Sequence, residues 1–182
     1  MKASVKSNNN NNTNKGQDKT SSQPKRVKIT AESLKDGTVL NALILRFLNN
    51  RSQENMFAVL TCLKDSCVWL PAVVTMKGAD MELLAKENPL AVPVKHSMTV
   101  KPQILGTKDG SQYIPIYSRK ENMQHESMKG FSSVNLPYVQ VLKILDGLEG
   151  IDQIVVDPFL NNLVLDDNLI GVSKKLPSHL KK

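Results

Sequence analysis

The chain has 182 residues, 40% of them apolar and 4% aromatic, and a formal charge of +7. That length suits one domain with an aliphatic core, and two cysteines, Cys62 and Cys67, exclude a disulfide framework. The charge sits at the ends: residues 1–28 carry seven Lys/Arg against one Asp, residues 174–182 carry four Lys, and the remaining thirteen basic and sixteen acidic residues make the body slightly negative.

Residues 1–30 are rich in Asn, Lys, Ser and Thr, with five consecutive asparagines at Asn8–Asn12. Such a segment buries too little apolar surface to offset its ordering entropy, so a disordered arm is expected. It lacks the apolar core of a signal peptide. No run approaches the ~20 apolar residues of a membrane helix, and the expected compartment is the reducing cytoplasm.

From Val39 to Leu48 the apolar residues recur at helical spacing, with Asp36 or Thr38 as N-cap and Asn49-Asn50 as the stop. A second helix runs from Gln53 to Leu63 behind Ser52 as cap, with Phe57, Leu60 and Leu63 on its apolar side. The period then changes. Cys67–Val74 is continuous and β-branched, a buried strand with an edge or bulge at Pro71, which lacks a ladder donor. Residues 75–99 read as an excursion with one helical turn at Ala79–Ala85. Asp109-Gly110 between two alternating runs predicts a hairpin. Ser118-Arg-Lys-Glu121 has the form of a capping box opening a short helix. A short strand at Phe131–Leu136, a helix started by Pro137 and stopped at Gly147 or Gly150, a strand at Ile151–Val156, another at Asn162–Asp166 and a last turn complete the order. The fold class is α/β (α+β): one small mixed β-sheet with a central hairpin, flanked by about three to five helices in a single domain over 31–173, followed by a basic C-terminal tail at 174–182.

The order of elements and two motifs resemble the N-terminal domain of the SseB family, small bacterial proteins named for enhanced serine sensitivity. The strand Val68-Trp-Leu-Pro71, the hairpin Gly110-Ser-Gln-Tyr-Ile-Pro-Ile-Tyr-Ser118 and the corner Asp157-Pro158-Phe159 carry the likeness, which spans roughly 38–170. Two departures stand out. Tyr117-Ser118 replaces the family's Phe-Thr, and Asp157 replaces the Asn of Asn-Pro-Phe; Asp and Asn both close turns through the side chain. No counterpart of the separate C-terminal domain of longer members is expected here. The resemblance implies a fold and an association with serine sensitivity, and brings no catalytic activity with it.

Chemistry-bearing residues do not converge in the sequence. His96, His125 and His179 lie in three different settings, and Cys62-x4-Cys67 has no histidine pair to complete a zinc set. Both cysteines suit burial as small apolar residues. Neither GxGxxG nor GxxxxGK[ST] occurs, and Asp166-Asp167, at an element boundary, reads as a cap. No catalytic residue, metal or cofactor is nominated. The candidate binding surface is Trp69, Tyr113, Tyr117, Asp157 and Phe159, aromatics and one acid at strand ends beside proline corners; Trp69 and Phe159 are expected in the core or half-core. The function expected is a non-enzymatic binding or regulatory module whose partner is another protein. The alternatives are an enzyme or sensor for an amino-acid-related small molecule, and binding of nucleic acid or anionic membrane by the basic tails. Specific nucleic-acid recognition is not expected, and the oligomeric state is not legible.

Overall fold

The computed structural model describes residues 31–75 and 99–180. The expected arm over 1–30 and the expected turn at Ala79–Ala85 lie outside the described residues. α1 (Ala31–Lys35) is a single turn that the apolar spacing does not announce. Gly37 follows at φ +75° and caps α2 (Thr38–Asn49), which buries Leu40 and Ile44. The capping therefore differs from expectation: Asp36 stands one residue further out, where its Oδ1 accepts the Thr38 N–H at 2.8 Å. α3 (Gln53–Asp65) begins behind Ser52, whose hydroxyl accepts the Asn55 N–H, the predicted cap. The Asn55 amide donates back to the Asn50 carbonyl at 2.8 Å and closes the α2–α3 turn.

Phe57 corrects the reading of α3. Leu60 and Leu63 are buried as expected, but Phe57 is 55% exposed. At about 100° per residue it falls on the far side of the helix from Val59 and Leu63, which define the buried face.

β1 (Cys67–Thr75) is the middle strand of a three-stranded antiparallel sheet, between β2 (Thr99–Pro102) and β5 (Ser132–Pro137). The second sheet has the order β3-β4-β6-β7, from β3 (Leu105–Gly106), β4 (Gln112–Ile116), β6 (Gln153–Val156) and β7 (Leu163–Leu165); β4 and β6 are parallel and the other pairs antiparallel. The mixed α/β fold is thus as read, with its strands in two sheets that meet at one bridge. Trp69 and Tyr117 exchange N–H···O bonds of 2.9 and 2.8 Å.

That bridge explains Pro71, which lies in a central strand, away from any sheet edge. Alternate residues of a strand turn their polar groups to the same side, so Trp69 and Pro71 face one flank of β1. There the neighbour changes from Tyr117 to Gln103, whose N–H reaches the Pro71 carbonyl at 2.8 Å. The missing proline donor falls in the interval between the two partners.

The hairpin turn forms at Asp109-Gly110 as expected, with Gly110 at φ +91°. Its first strand is only Leu105–Gly106, because Lys101 and Pro102 pair with β1 instead. After β5 comes α4 (Tyr138–Asp146), which buries Tyr138, Val141, Leu142 and Leu145. The chain ends its fold in α5 (Asp167–Lys175), nine residues where one turn was expected. Asp166 caps it, accepting the Leu169 N–H at 2.9 Å, and Asp167 at the start with Lys174 and Lys175 at the end complement the helix dipole. Lys174 also pairs with Asp146 at 2.6 Å, so the folded body continues past residue 173. Both α4 and α5 pack on α3. Among the described residues no helix is long and apolar enough to cross a membrane.

Two tests follow from this packing. A Cβ on Gly37 would lie 1.7 Å from the Ser118 carbonyl oxygen, whereas one on Gly110 meets nothing within 4 Å. Gly110→Ala should cost about 1 kcal/mol from positive φ alone, and Gly37→Ala at least about 3 kcal/mol, because backbone must move. Equal losses in urea midpoints would contradict the close approach. Tyr138 is fully buried against Ser173, and burial pushes its hydroxyl from 10.0 up to about 12. The unfolded chain therefore ionises first as pH rises; the contribution is intact below pH 10 and is lost by about pH 12, roughly 2–3 kcal/mol in all. Tyr138→Phe leaves Ser173 bonded to the Ile170 carbonyl, so this variant should lose less stability between pH 9 and 11 than the parent chain.

Candidate functional site

The corner after β6 is built around one carboxylate. Asp157 is fully buried and sits at φ +51°, a left-handed conformation that Asp and Asn tolerate better than other side chains. Its Oδ1 accepts the Ser118 N–H and the Asn122 amide, each at 3.0 Å. Its Oδ2 accepts the Ser118 hydroxyl at 2.7 Å and the Asn161 amide at 3.2 Å. Every one of these neighbours donates, which matches the acceptor-only chemistry of a carboxylate. Backbone bonds complete the corner: Asp157 N–H to the Ile116 carbonyl, and Leu160 and Asn162 N–H to the Asp157 carbonyl. Asn161 reaches on to Asn41 of α2 at 3.4 Å.

This network overturns the capping-box reading of Ser118. The hydroxyl is given to Asp157, the short 3-10 turn at Lys120–Met123 has Arg119 as its cap without a side-chain bond, and Glu121 pairs with Arg119 at 3.4 Å. A serine bonded to a carboxylate is the beginning of a nucleophile–base pair. Here Ser118 and Asp157 are both closed to solvent, so no substrate reaches them.

The five residues nominated from sequence form one connected region but divide by depth. Tyr117 is fully buried, donates its hydroxyl to the Met128 sulfur at 3.2 Å, and has its pKa pushed far up by burial, with Tyr113 and Asp157 adding to the effect. Tyr113 is buried too, and burial raises it. Trp69 is half-buried, with the Lys120 ammonium 5.4 Å from the ring centroid. Phe159, expected in the core or half-core, is exposed. It stacks face to face on His125, centroids 3.6 Å apart and planes 8° from parallel. The left-handed corner at Asp157 turns the chain outward before β7, which carries the ring to the surface.

A different place has the shape of a binding site, and the sequence reading passed over it. Between α2 and α3 lies a groove of ≈ 440 Å³, within the range of ligand and peptide sites. Val39 and Leu43 of α2 form one wall, Phe57 of α3 the other, and Ala58, Thr61 and Cys62 the floor; Leu34 of α1 closes one end. α2 and α3 run antiparallel across the three-residue link Asn50–Ser52, so this closed end lies at the start of α2 and the end of α3. There Asp65 and His179 complete the lining. The Asp65 side chain is 6% exposed. It accepts the His179 backbone N–H at 2.7 Å, and the His179 ring nitrogen stands 3.8 Å away. The Thr61 hydroxyl oxygen is buried without a hydrogen-bond partner among the described residues. The Cys62 thiol bonds with Ser66 at 3.6 Å, and burial raises its pKa. The signal available in the sequence was the second stripe on α3, Phe57, Ala58, Thr61 and Cys62, beside the core stripe of Val59, Leu60 and Leu63. Among the described residues no group of three His, Cys, Asp or Glu could hold a metal ion.

The corner has a direct test. Asp157→Asn keeps the left-handed residue and one acceptor, and should cost about 1–2 kcal/mol in chemical denaturation; Asp157→Ala strands the donors of Ser118, Asn122 and Asn161 and should cost about 3–5 kcal/mol. Indifference to both changes would mean that the network does not hold the corner.

No curated protein and no solved structure matches this chain. The family described as SseB protein N-terminal domain matches residues 40–171. That span takes in α3, all of α2 but its first two residues, the Trp69–Tyr117 bridge and the Asp157 corner, and leaves the groove residues Leu34, Val39 and His179 outside it. The chain belongs to the SseB family through this N-terminal domain.

Proposed function

We propose that this domain is a non-enzymatic binding and regulatory module that engages another protein through the α2–α3 groove, within the cytoplasm and within the serine-sensitivity process that the family's name implies. The observation that carries the reading is an open, apolar groove with a large ring at its rim. Phe57 stands 55% exposed beside small residues, Ala58 and Cys62, and opposite Leu43. An exposed ring next to a small-residue floor is costly to leave in water and is what a partner's apolar side chains would cover. The residues that stand at the positions of the resembling motifs support this division of labour. Asp157, Ser118 and Tyr117 are buried and bonded to one another or to core atoms, so they shape the scaffold and are not presented to a reactant. Phe159 and the half-buried Trp69 serve as secondary contacts, with Tyr113, Tyr117 and Asp157 supporting them from beneath.

Ala58→Trp should fill the groove without touching the core. In affinity capture from a lysate of the source organism, a partner retained by the parent chain should be lost with this variant, while circular dichroism stays unchanged. The purified partner should also slow iodoacetamide labelling of Cys62 in the groove and leave Cys67, outside it, unaffected. Labelling of free Cys62 should itself be slow near neutral pH, because burial raises its pKa. Capture insensitive to Ala58→Trp, or substrate turnover by the purified chain, would overturn the reading.

A further inference from the structure

The closed end of the groove carries an acid in an unusual place. Asp65 is the last residue of α3, where the helix dipole disfavours negative charge. Its side chain is nearly closed to solvent, yet among the described residues its carboxylate accepts one hydrogen bond, from the His179 backbone. A carboxylate offers about four acceptor sites, and a buried one is normally well supplied with donors. Arg and Lys are the groups that supply them most strongly.

The donor now in place belongs to the chain's own end. After α5 the segment Leu176–Leu180 meets the end of α3, where the His179 N–H donates to Asp65; just before it the Lys64 ammonium donates to the Lys174 carbonyl of α5 at 3.0 Å. Beside it lies a smaller pocket of ≈ 220 Å³, lined by Lys64, Asp65, Ser66, Pro137 and Val139 together with Ser178 and Leu180 of the strap. Asp65 lines both pockets, and the strap borders each of them, through His179 on the groove and through Ser178 and Leu180 on the smaller pocket. His179 and Leu180 are themselves exposed, which makes this a light covering.

Resting on the groove reading above, we propose that the occupant is an amphipathic helix of a partner protein whose apolar stripe ends in a lysine or arginine, and that this cation takes Asp65 from the C-terminal strap. The floor residues Ala58, Thr61 and Cys62 are small and recur at helical spacing, which admits a helix backbone at close range. Val39 and Leu43 on α2, one turn apart, and Phe57 on α3 supply walls for leucine-sized knobs. From Phe57 to Asp65 the stripe is about 12 Å long, enough for two turns of a partner. Its charge complement is fixed by Asp65 at the closed end, so the partner's orientation is fixed as well.

Two synthetic helical peptides test this, identical in a leucine stripe at i, i+4, i+7 and i+11 and differing only in a terminal lysine or glutamate. By fluorescence anisotropy the full chain should bind the lysine peptide about tenfold more tightly than the glutamate peptide. The lysine peptide should protect Cys62 and not Cys67 from iodoacetamide. Asp65→Asn should erase the preference while retaining weak binding of both peptides, and a chain ending at Leu176 should bind the lysine peptide several-fold more tightly, about three- to tenfold, by loss of the competing strap. Equal affinity for the two peptides, with binding still lost in Ala58→Trp, overturns the cationic partner and leaves the groove reading intact. Binding of neither peptide, or binding that Ala58→Trp does not weaken, overturns both. Self-association of the full chain that Ala58→Trp abolishes would replace the partner helix with a second copy.

Discussion

A carboxylate removed from water must find donors or destabilise the fold around it, and Asp157 finds four of them on three different segments. Ser118 follows β4, Asn122 lies in the 3-10 turn beyond it, and Asn161 lies in the loop before β7. Through Asn161 the network extends to Asn41 of α2. The Ser118 backbone that donates to Asp157 also lies so close to Gly37 that no side chain fits there. The start of α2, the end of β4 and the turn from β6 into β7 are thereby set relative to one another by a single side chain. The Trp69–Tyr117 bridge, one residue before Ser118, then fixes where the second sheet meets the first.

Placing α2 is what gives the molecule its groove. α2 lies against the Ser118 corner at its start and against α3 along its length, and α3 is held from other sides by α4 and α5. α3 therefore has more apolar surface than its neighbours can cover. Val59, Leu60 and Leu63 go to the core, Cys62 belongs to the core and borders the groove, and Phe57 and Ala58 line the space beside α2. The conspicuous sequence motifs and the groove are separated: Tyr117, Ser118 and Asp157 are spent on the bridge and the corner, and the groove is made of residues with no conspicuous motif.

This separation explains what the sequence disclosed. The helices over Thr38–Asn49 and Gln53–Asp65, the strand at Cys67–Thr75, the Asp109-Gly110 turn and the helix after Pro137 were legible because apolar period, caps and turn residues agree at each. The Asp157 corner was legible as a turn, since Asp before Pro-Phe has little else to do. Its partners were not, because Ser118 and Asn122 are more than thirty residues away and Ser118 with Glu121 also satisfies a local capping pattern. Long-range satisfaction of a buried charge overrode that local option. Phe57 was misplaced because its spacing of three to Leu60 fits a helical face that drifts, within two turns, off the side where Val59 and Leu63 sit. The groove was illegible for a further reason: it needs the relative placement of α1, α2, α3 and the segment after α5, and no periodicity within one helix encodes that.

If the corner is the element on which this arrangement depends, its amides should open only with the whole molecule. Native-state hydrogen exchange reads this directly. The Ser118 N–H, bonded to Asp157 Oδ1, and the Asp157 N–H, bonded to the Ile116 carbonyl, should exchange with the free energy of global unfolding and with its full denaturant dependence. Exchange of these two amides through a small local opening, while β4 and β6 stay protected, would contradict the account.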